Sequence, residues 1–417
     1  MSKAIQRAQR IWRRAVVGSG LPGLVDRTII RSRVRAEPGE RTTHLLLAAP
    51  GGGNVGDQAM LEAVLENTAG PVTLVVPDRA SVELPEEFRQ RVEVLEIPHL
   101  VYGTGADHRA SVASFGRALA GAAHLSVLGA DVMDGRYSLP ASVRRSTLAR
   151  AAARAGVETR VIGFSWSDRA RVAARRSLAA AARDGVRLLL RDPISAGRAR
   201  RDGIAPVEEV ADVVFAARSV DGSAADQLLQ DVTKPVALVN VSGLLADRMD
   251  QTEEYVRIVA ALRERGLHVL VLPHVDRAQA GDMAACAALM ARVGELADVS
   301  GVPSILSPAQ VRGLTARASI AVTGRMHLAV MSFLNGVPAI TLASQGKVEG
   351  LMQLFGTPEL RIDAAPGFAA EVVEVVDRVL PADSAARESI RQALPGVVAM
   401  ARRNTADLSA PVTTGQA

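Results

Sequence analysis

The stretch Thr43-His44-Leu45-Leu46-Leu47-Ala48-Ala49-Pro50-Gly51-Gly52-Gly53-Asn54-Val55-Gly56-Asp57 decides the fold. An apolar run of strand length enters a glycine turn, and a helical pattern opens directly after it. The chain then repeats this step. Strands are predicted at Thr43–Ala48, Val72–Val76, Val92–Ile97, His124–Leu128, Thr159–Phe164 and Val186–Leu190, most of them separated by helix-length stretches rich in Ala and Arg. The polar stretch from Ser219 to Lys234, with Gly222 inside it and Pro235 just beyond, reads as a linker. The alternation restarts with strands predicted at Val236–Val241, Val269–Leu272, Ile320–Thr323 and Val337–Leu342. Such βα alternation implies parallel sheets covered by helices on both faces. The expected architecture is α/β, with two doubly wound Rossmann-like domains over 42–222 and 235–382 and a cleft between them. A basic leader over 1–41 and a helix with a tail over 383–417 flank them.

A chain of 417 residues has the length for two or three domains and a sizeable core. With 48% hydrophobic and 22% charged residues it has the balance of a soluble globular protein, not of a disordered chain. No apolar run reaches the roughly 18 residues of a membrane span. The single Cys286 excludes a disulfide framework and a thiolate-rich zinc site, and with no signal-peptide pattern it points to the cytoplasm. The net charge of +5 is unevenly spread. Residues 1–35 hold nine Lys or Arg against Asp26 alone, so that segment carries +8 and the remainder −3. A nearly neutral body with a basic leader, and only 12 aromatic residues, argues against a nucleic-acid partner.

The turn Gly51–Asp57 satisfies GxGxxG literally, and Asp78 ends the next strand, where a dinucleotide's ribose would want an acid. Asp57 counts against that ligand, because a carboxylate in the first helical turn already occupies the N–H groups and dipole that a pyrophosphate needs. The turn reads instead as a tight connection capped by Asp57, or as a polar loop in which Gly53 and Asn54 meet a neutral hydroxylated ligand. Gly324-Arg325-Met326-His327 joins a strand to a helix and brings together N–H groups, a guanidinium and an imidazole, which suits an anion that also exchanges a proton. One strand later Ser344-Gln345-Gly346-Lys347 repeats the arrangement with a lysine. Arg191-Asp192 closes the apolar strand Leu188-Leu189-Leu190 ahead of Ser195, and a guanidinium leaving a buried strand needs an anion, with Asp192 the nearest in sequence. The loop Gly129–Ser138 contributes Asp131, Asp134, Arg136 and Tyr137, the equipment of a sugar or proton-transfer site. His274, after Leu272-Pro273, is a further candidate.

Taken together these residues resemble the polysaccharide pyruvyl transferase family. The resemblance runs over about residues 43–357. It rests on Asn54-Val55-Gly56-Asp57, Arg191-Asp192 with Ser195, Pro273-His274, and Gly324-Arg325-Met326-His327 through Gly336-Val337-Pro338 to Lys347-Val348-Glu349-Gly350. It implies a glycosyltransferase-B-like fold with the acceptor on the N-terminal domain and the donor on the C-terminal one. It also implies transfer of the pyruvyl group of phosphoenolpyruvate to a sugar as a ketal, without a cofactor or metal. Arg191, Arg325 and His327 match family positions that engage the donor. Where many members carry a run of glycines this chain has Gly129-Ala130-Asp131, and it keeps the acid at Asp134. Phosphoenolpyruvate carries a phosphate and a carboxylate, and Arg325, Lys347 and Arg191 supply separated cations. His327 is expected to transfer the proton, and Asp57 or Asp134 to accept the hydroxyl proton. Gly53, Asn54, Asp131, His274 and Ser344 are expected to line the substrate site. A nucleotide-sugar glycosyltransferase of the same fold and a non-catalytic sugar-binding scaffold are the alternatives.

Residues 3–16 place Ala4, Ile5, Ala8, Ile11, Trp12, Ala15 and Val16 on one helical face and Lys3, Arg7, Arg10, Arg13 and Arg14 on the other, before Gly18, Gly20, Pro22 and Gly23 stop the pattern. Two expectations follow: a helix lying on an anionic membrane at the inner face of the cell membrane, which would serve a lipid-linked acceptor, or a helix packed on the protein's own body or on a partner subunit.

Overall fold

The computed structural model describes residues 21–36, 41–49, 52–246, 249–277, 281–343 and 346–408. They form two compact units. The first takes in the helix Leu21–Ala36 and residues 41–49, 67–210 and 403–408. Its strands are β1 (Thr43–Leu47), β2 (Val72–Val76), β3 (Val92–Glu96), β4 (Ala122–Leu128), β5 (Glu158–Phe164), β6 (Arg187–Leu190) and β7 (Glu208–Glu209). All pair in parallel in the order β3-β2-β1-β4-β5-β6-β7. Leu45, Leu46 and Leu47 are consecutive and all buried, as expected where helices cover both faces of a sheet. The strand order reverses between β1 and β4, and open α/β sheets bind ligands beyond the carboxyl ends of such a pair.

The second unit takes in residues 52–66 and 211–402. Its strands are β8 (Val236–Asn240), β9 (His268–Val271), β10 (Val299–Gly301), β11 (Ala318–Thr323), β12 (Ala339–Ala343) and β13 (Arg361–Asp363), in the parallel order β10-β9-β8-β11-β12-β13. Here the reversal lies between β8 and β11. The edge strands β7, β10 and β13 have two or three residues each, too short for a periodicity to announce them.

Three segments sit differently from the sequence-based division. The helix Val55–Glu66 belongs to the second unit, although it follows β1. Nine of its twelve residues are buried, and its two glutamates meet Arg312 of the same unit at 3.8 Å each. Residues 403–408 belong to the first unit, where Asp407 pairs with Arg160 (3.4 Å) and the Ala69 N–H donates to the Leu408 carbonyl (2.7 Å). The stretch read as a linker contains the helix Ser223–Leu228, which packs on the helix Pro308–Arg317 of the second unit with Ala224 and Ala225 buried.

The glycine and proline run expected to stop a leader helix contains the start of another. Proline is tolerated in a first turn, whose N–H groups lack intrahelical partners. The helix Leu21–Ala36 then buries Asp26, Ile30 and Val34 at helical spacing. Residues 3–16 lie outside the described residues. Among the described residues no helix is long and apolar enough to cross a membrane.

Candidate active site

In the second unit β11 ends at Thr323 and the chain turns through Gly324 into the helix Met326–Leu334, with Arg325 extended at its N-cap (φ −117°, ψ 117°). The Arg325 guanidinium lies on Asp282, with Nη2 2.6 Å and Nε 3.0 Å from Oδ1. Asp282 is wholly buried and also accepts from Asn240 Nδ2 (2.9 Å) and from the backbone N–H groups of Gly243 (2.9 Å) and His274 (3.0 Å). A buried carboxylate persists when it is paired and saturated with donors, and Asp282 has both. Thr323 Oγ1 accepts the Arg325 N–H (2.9 Å) and donates to Asn240 Oδ1 (3.2 Å). One carboxylate therefore ties together the ends of β8 and β11, the segment after β9 and the first turn of the helix Asp282–Val293.

His327 follows in the first turn of its helix. Its ring rests where Gly56 leaves room, since a Cβ at Gly56 would fall 2.1 Å from Nδ1. His327 Nε2 stands 3.4 Å from Asp212 Oδ2, within ion-pair reach but without the alignment of a hydrogen bond. Asp212 is buried and caps the turn Val213–Ala216 through the Val214 N–H (3.1 Å). His274 is buried, and neither of its ring nitrogens has a hydrogen-bond partner among the described residues. Burial above all, then the adjacent His327 and Arg325, hold its pKa well below the usual histidine range, so it is a neutral imidazole.

The glycine turn is pinned to this cluster by backbone pairing. The Asp276 N–H donates to the Gly53 carbonyl (2.7 Å) and the Val55 N–H to the His274 carbonyl (3.2 Å). Gly53 has φ +66°, and a Cβ there would fall 1.9 Å from the Asp276 oxygen, so only glycine fits. Asn54, not Asp57, caps the helix, through the Gly56 N–H (3.0 Å). Asp57 pairs instead with Arg277 (3.1 Å), whose Nε donates to the Gly52 carbonyl (2.8 Å). Lys347 is the first residue of the helix Lys347–Phe355, after Gly346 (φ 75°) and β12, the sheet neighbour of β11. Ser344 lies outside the described residues.

In the first unit Arg191 emerges buried from β6, donates from Nε to Ser165 Oγ (2.7 Å) and pairs through Nη2 with Asp131. Asp192, the partner nearest in sequence, does something else. It caps the helix Pro193–Arg201, accepting the Ser195 N–H (2.6 Å) and hydroxyl (2.7 Å), and burial pushes its carboxyl up. Asp134, in the same loop as Asp131, accepts the Arg136 N–H (2.9 Å). Burial chiefly, opposed by that hydrogen bond and aided by the Asp131 charge, pushes its carboxyl up to about 6. That value suits a group exchanging protons near neutral pH.

The second unit thus brings together Gly53, Asn54, Asp57, His274, Arg325 and His327 of the expected residues, and the first unit Asp131, Asp134 and Arg191. Sequence reasoning missed Asp282, Asp212, Asn240 and Arg277. Asp282 after Gly281 and Asp212 before Val213-Val214-Phe215 carry only a cap signal, and their partners are distant in sequence. Among the described residues no group of three or more His, Cys, Asp or Glu side chains has the arrangement of a metal site.

The two sheet orders define a two-domain α/β fold of the glycosyltransferase-B type, and solved structures share it. A UDP-GlcNAc 2-epimerase from Neisseria meningitidis bound to UDP-GlcNAc superposes with a TM-score of 0.59 at 9% identity, covering 88% of this chain and 99% of that one. A UDP-GlcNAc 2-epimerase from Methanocaldococcus jannaschii gives 0.55 at 11% identity, covering 84% and 97%. A UDP-glucosyltransferase from Polygonum tinctorium gives 0.54 at 13% identity, covering 88% and 98%. No curated protein sequence matches the chain significantly. The chain belongs to the polysaccharide pyruvyl transferase family, whose sequence model matches residues 54–346. It is accordingly a transferase of polysaccharide biosynthesis.

Proposed function

We propose that this enzyme transfers the pyruvyl group of phosphoenolpyruvate to two hydroxyls of one sugar, forming a pyruvate ketal and releasing phosphate. The observation that carries the reading is the turn after β11, where Arg325 is fixed on a buried aspartate two residues before His327. A preoriented guanidinium suits a bidentate anion. In the proposed reaction His327 delivers a proton to the donor's methylene carbon, and a sugar hydroxyl adds to the neighbouring carbon. The C–O bond to phosphate then breaks, and a second hydroxyl closes the ketal. Of the two hydroxyl protons, one balances the proton gained by the new methyl group and the other leaves with phosphate. Asp57 or Asp134 accepts the hydroxyl proton, and the carboxyl of Asp134, raised to about 6, favours it for that exchange. Arg191 and Lys347 add cationic positions for the donor. Substrate-binding roles are assigned to Gly53, Asn54, Asp131, His274 and Ser344. The acceptor is a sugar of a polysaccharide or glycolipid precursor, and residues 3–16 are assigned to an anionic membrane surface.

The test is a phosphate-release assay with phosphoenolpyruvate against free, nucleotide-activated and lipid-linked sugars. Release that requires both phosphoenolpyruvate and an acceptor is expected. Thermal stabilisation by a nucleotide sugar, with none by phosphoenolpyruvate and no release with any acceptor, would turn the assignment to a glycosyltransferase.

A further inference from the structure

The helix Leu21–Ala36 packs on the helices Gly105–Ala120 and Leu139–Arg154. Its inner stripe of Asp26, Ile30 and Val34 is buried, and Asp26 is tied to His108 Nε2 (3.0 Å), whose Nδ1 faces the His99 carbonyl (3.1 Å). Its outer stripe is Leu24, Arg27, Thr28, Arg31 and Arg35. Two cavities that share Arg27 open beside this stripe. One, of about 380 Å³, runs between the helix and the helices Leu139–Arg154 and Val172–Arg183 and presents Arg27, Arg150 and Arg176. The other, of about 620 Å³, presents Arg27, Arg31, Arg35 and Arg154.

The charge on this face is not balanced locally. Among the described residues Asp26, already tied to His108, is the one carboxylate in either lining. Asp184 pairs with Arg150 and Arg154 but with neither Arg31, Arg35 nor Arg176, which have no ion-pair or hydrogen-bond partner among the described residues. Burial and the charges of Arg150 and Arg154 all lower the pKa of Arg27, a sign of cations crowded without enough anion. The twenty residues before the helix hold Lys3, Arg7, Arg10, Arg13 and Arg14 and no acid, so they cannot neutralise the groove. Both would be satisfied by one extended anionic partner. The rim is apolar, with Leu24, Val25 and Val172 about half exposed. Apolar side chains among arginines suit the headgroup boundary of a bilayer, whereas a nucleic acid would call for stacking aromatics, which are absent among the described residues of these linings.

We propose that the outer face of the helix Leu21–Ala36, with the groove it forms along the helix Leu139–Arg154, is a docking surface for an anionic lipid bilayer. This surface is built without residues 3–16, and its readout is partitioning rather than turnover, so it stands or falls apart from the pyruvyl-transfer reading. The experiment sediments the full-length protein with vesicles of phosphatidylcholine alone and of phosphatidylcholine with about one-third phosphatidylglycerol. Salt-sensitive binding to the anionic vesicles only is expected. Replacing Arg31, Arg35 and Arg176 together by Gln, with residues 1–20 intact, is expected to lower the partition coefficient about fivefold per arginine. These three side chains hold no partner among the described residues, so the fold is expected to be retained, as circular dichroism will verify. Replacing Lys3, Arg7, Arg10, Arg13 and Arg14 by Gln separates the two surfaces and is expected to leave residual binding. The proposal is overturned if the groove variant partitions like the wild type, if neutral vesicles bind equally, or if the protein binds duplex RNA or polyphosphate while ignoring anionic vesicles.

Discussion

Arg325 in the second unit and Arg191 in the first both stand at strand ends, and each is held by an aspartate. The aspartates differ. Asp282 has no exposed surface and takes three further hydrogen bonds from Asn240, Gly243 and His274, so Arg325 rests on a saturated, immobile carboxylate. Asp131 is about one-fifth exposed, sits in the loop after β4 and is joined there by the raised acid Asp134. One arginine is built into its sheet, while the other pairs with a carboxylate that solvent can reach. The comparison separates a fixed guanidinium cradle from an adjustable one, and the difference lies in the aspartate rather than in the arginine.

The largest effect that would break this comparison is expected from Asp282→Ala. It strands a guanidinium, an amide and two backbone N–H groups in the interior, and removing one partner of a buried pair costs about 3–5 kcal/mol. Urea unfolding will measure it, and Asp131→Ala should cost much less. A loss under about 1 kcal/mol for Asp282→Ala would show that the cradle is not built as described. Gly56→Ala comes next, because its methyl group displaces the His327 ring. Misplacement of a reacting group by about 1 Å costs roughly 100-fold in rate, so turnover should fall by that order while the fold is kept.

Asp134→Asn probes the other side of the comparison through pH. The folded-state pKa of about 6 lies above the ordinary 3.8, so the native state is penalised for carrying the charge. That penalty is absent below about pH 4, grows as pH rises through the interval and is complete above about pH 6. Asn carries no charge, so the variant should gain roughly 3 kcal/mol relative to wild type at pH 7 and nothing at pH 4. Equal stability differences at the two pH values would refute the burial argument. Arg325→Lys keeps charge but loses the planar fork, and turnover should drop about tenfold, or roughly 1.4 kcal/mol. Wild-type turnover would mean that the cradle does not serve the donor. The smallest effect is expected at Ala130, where φ is 42°. Ala130→Gly relieves left-handed strain worth about 1 kcal/mol, offset in part by glycine's unfolded-state entropy, so a gain of a few tenths is expected in thermal unfolding.

Much of the architecture was legible in local pattern. Leu45-Leu46-Leu47 and Leu188-Leu189-Leu190 announce buried parallel strands, and the turns at Asn54 and Arg325 announce strand-to-helix connections. Arg325, His327, Arg191 and Asp134 were recognisable as candidates because each stands at or just beyond a strand end. Their partners were not. Asp192 adjoins Arg191 in sequence, but its extended backbone (φ −161°) commits its carboxylate to the Ser195 N–H, and the guanidinium turns to Asp131 sixty residues earlier.

The sequence by itself determined the βα alternation, the glycine positions in the turn before Val55 and the basic excess of the leader, because each follows from spacing or composition over a few residues. Tertiary structure alone decided that the helix Val55–Glu66 joins the second unit, that Asp282 holds Arg325, and that burial pushes the Asp134 carboxyl up to about 6. Each of these depends on what is packed against a side chain, and burial and pairing are set by segments that meet only when the sheets have formed.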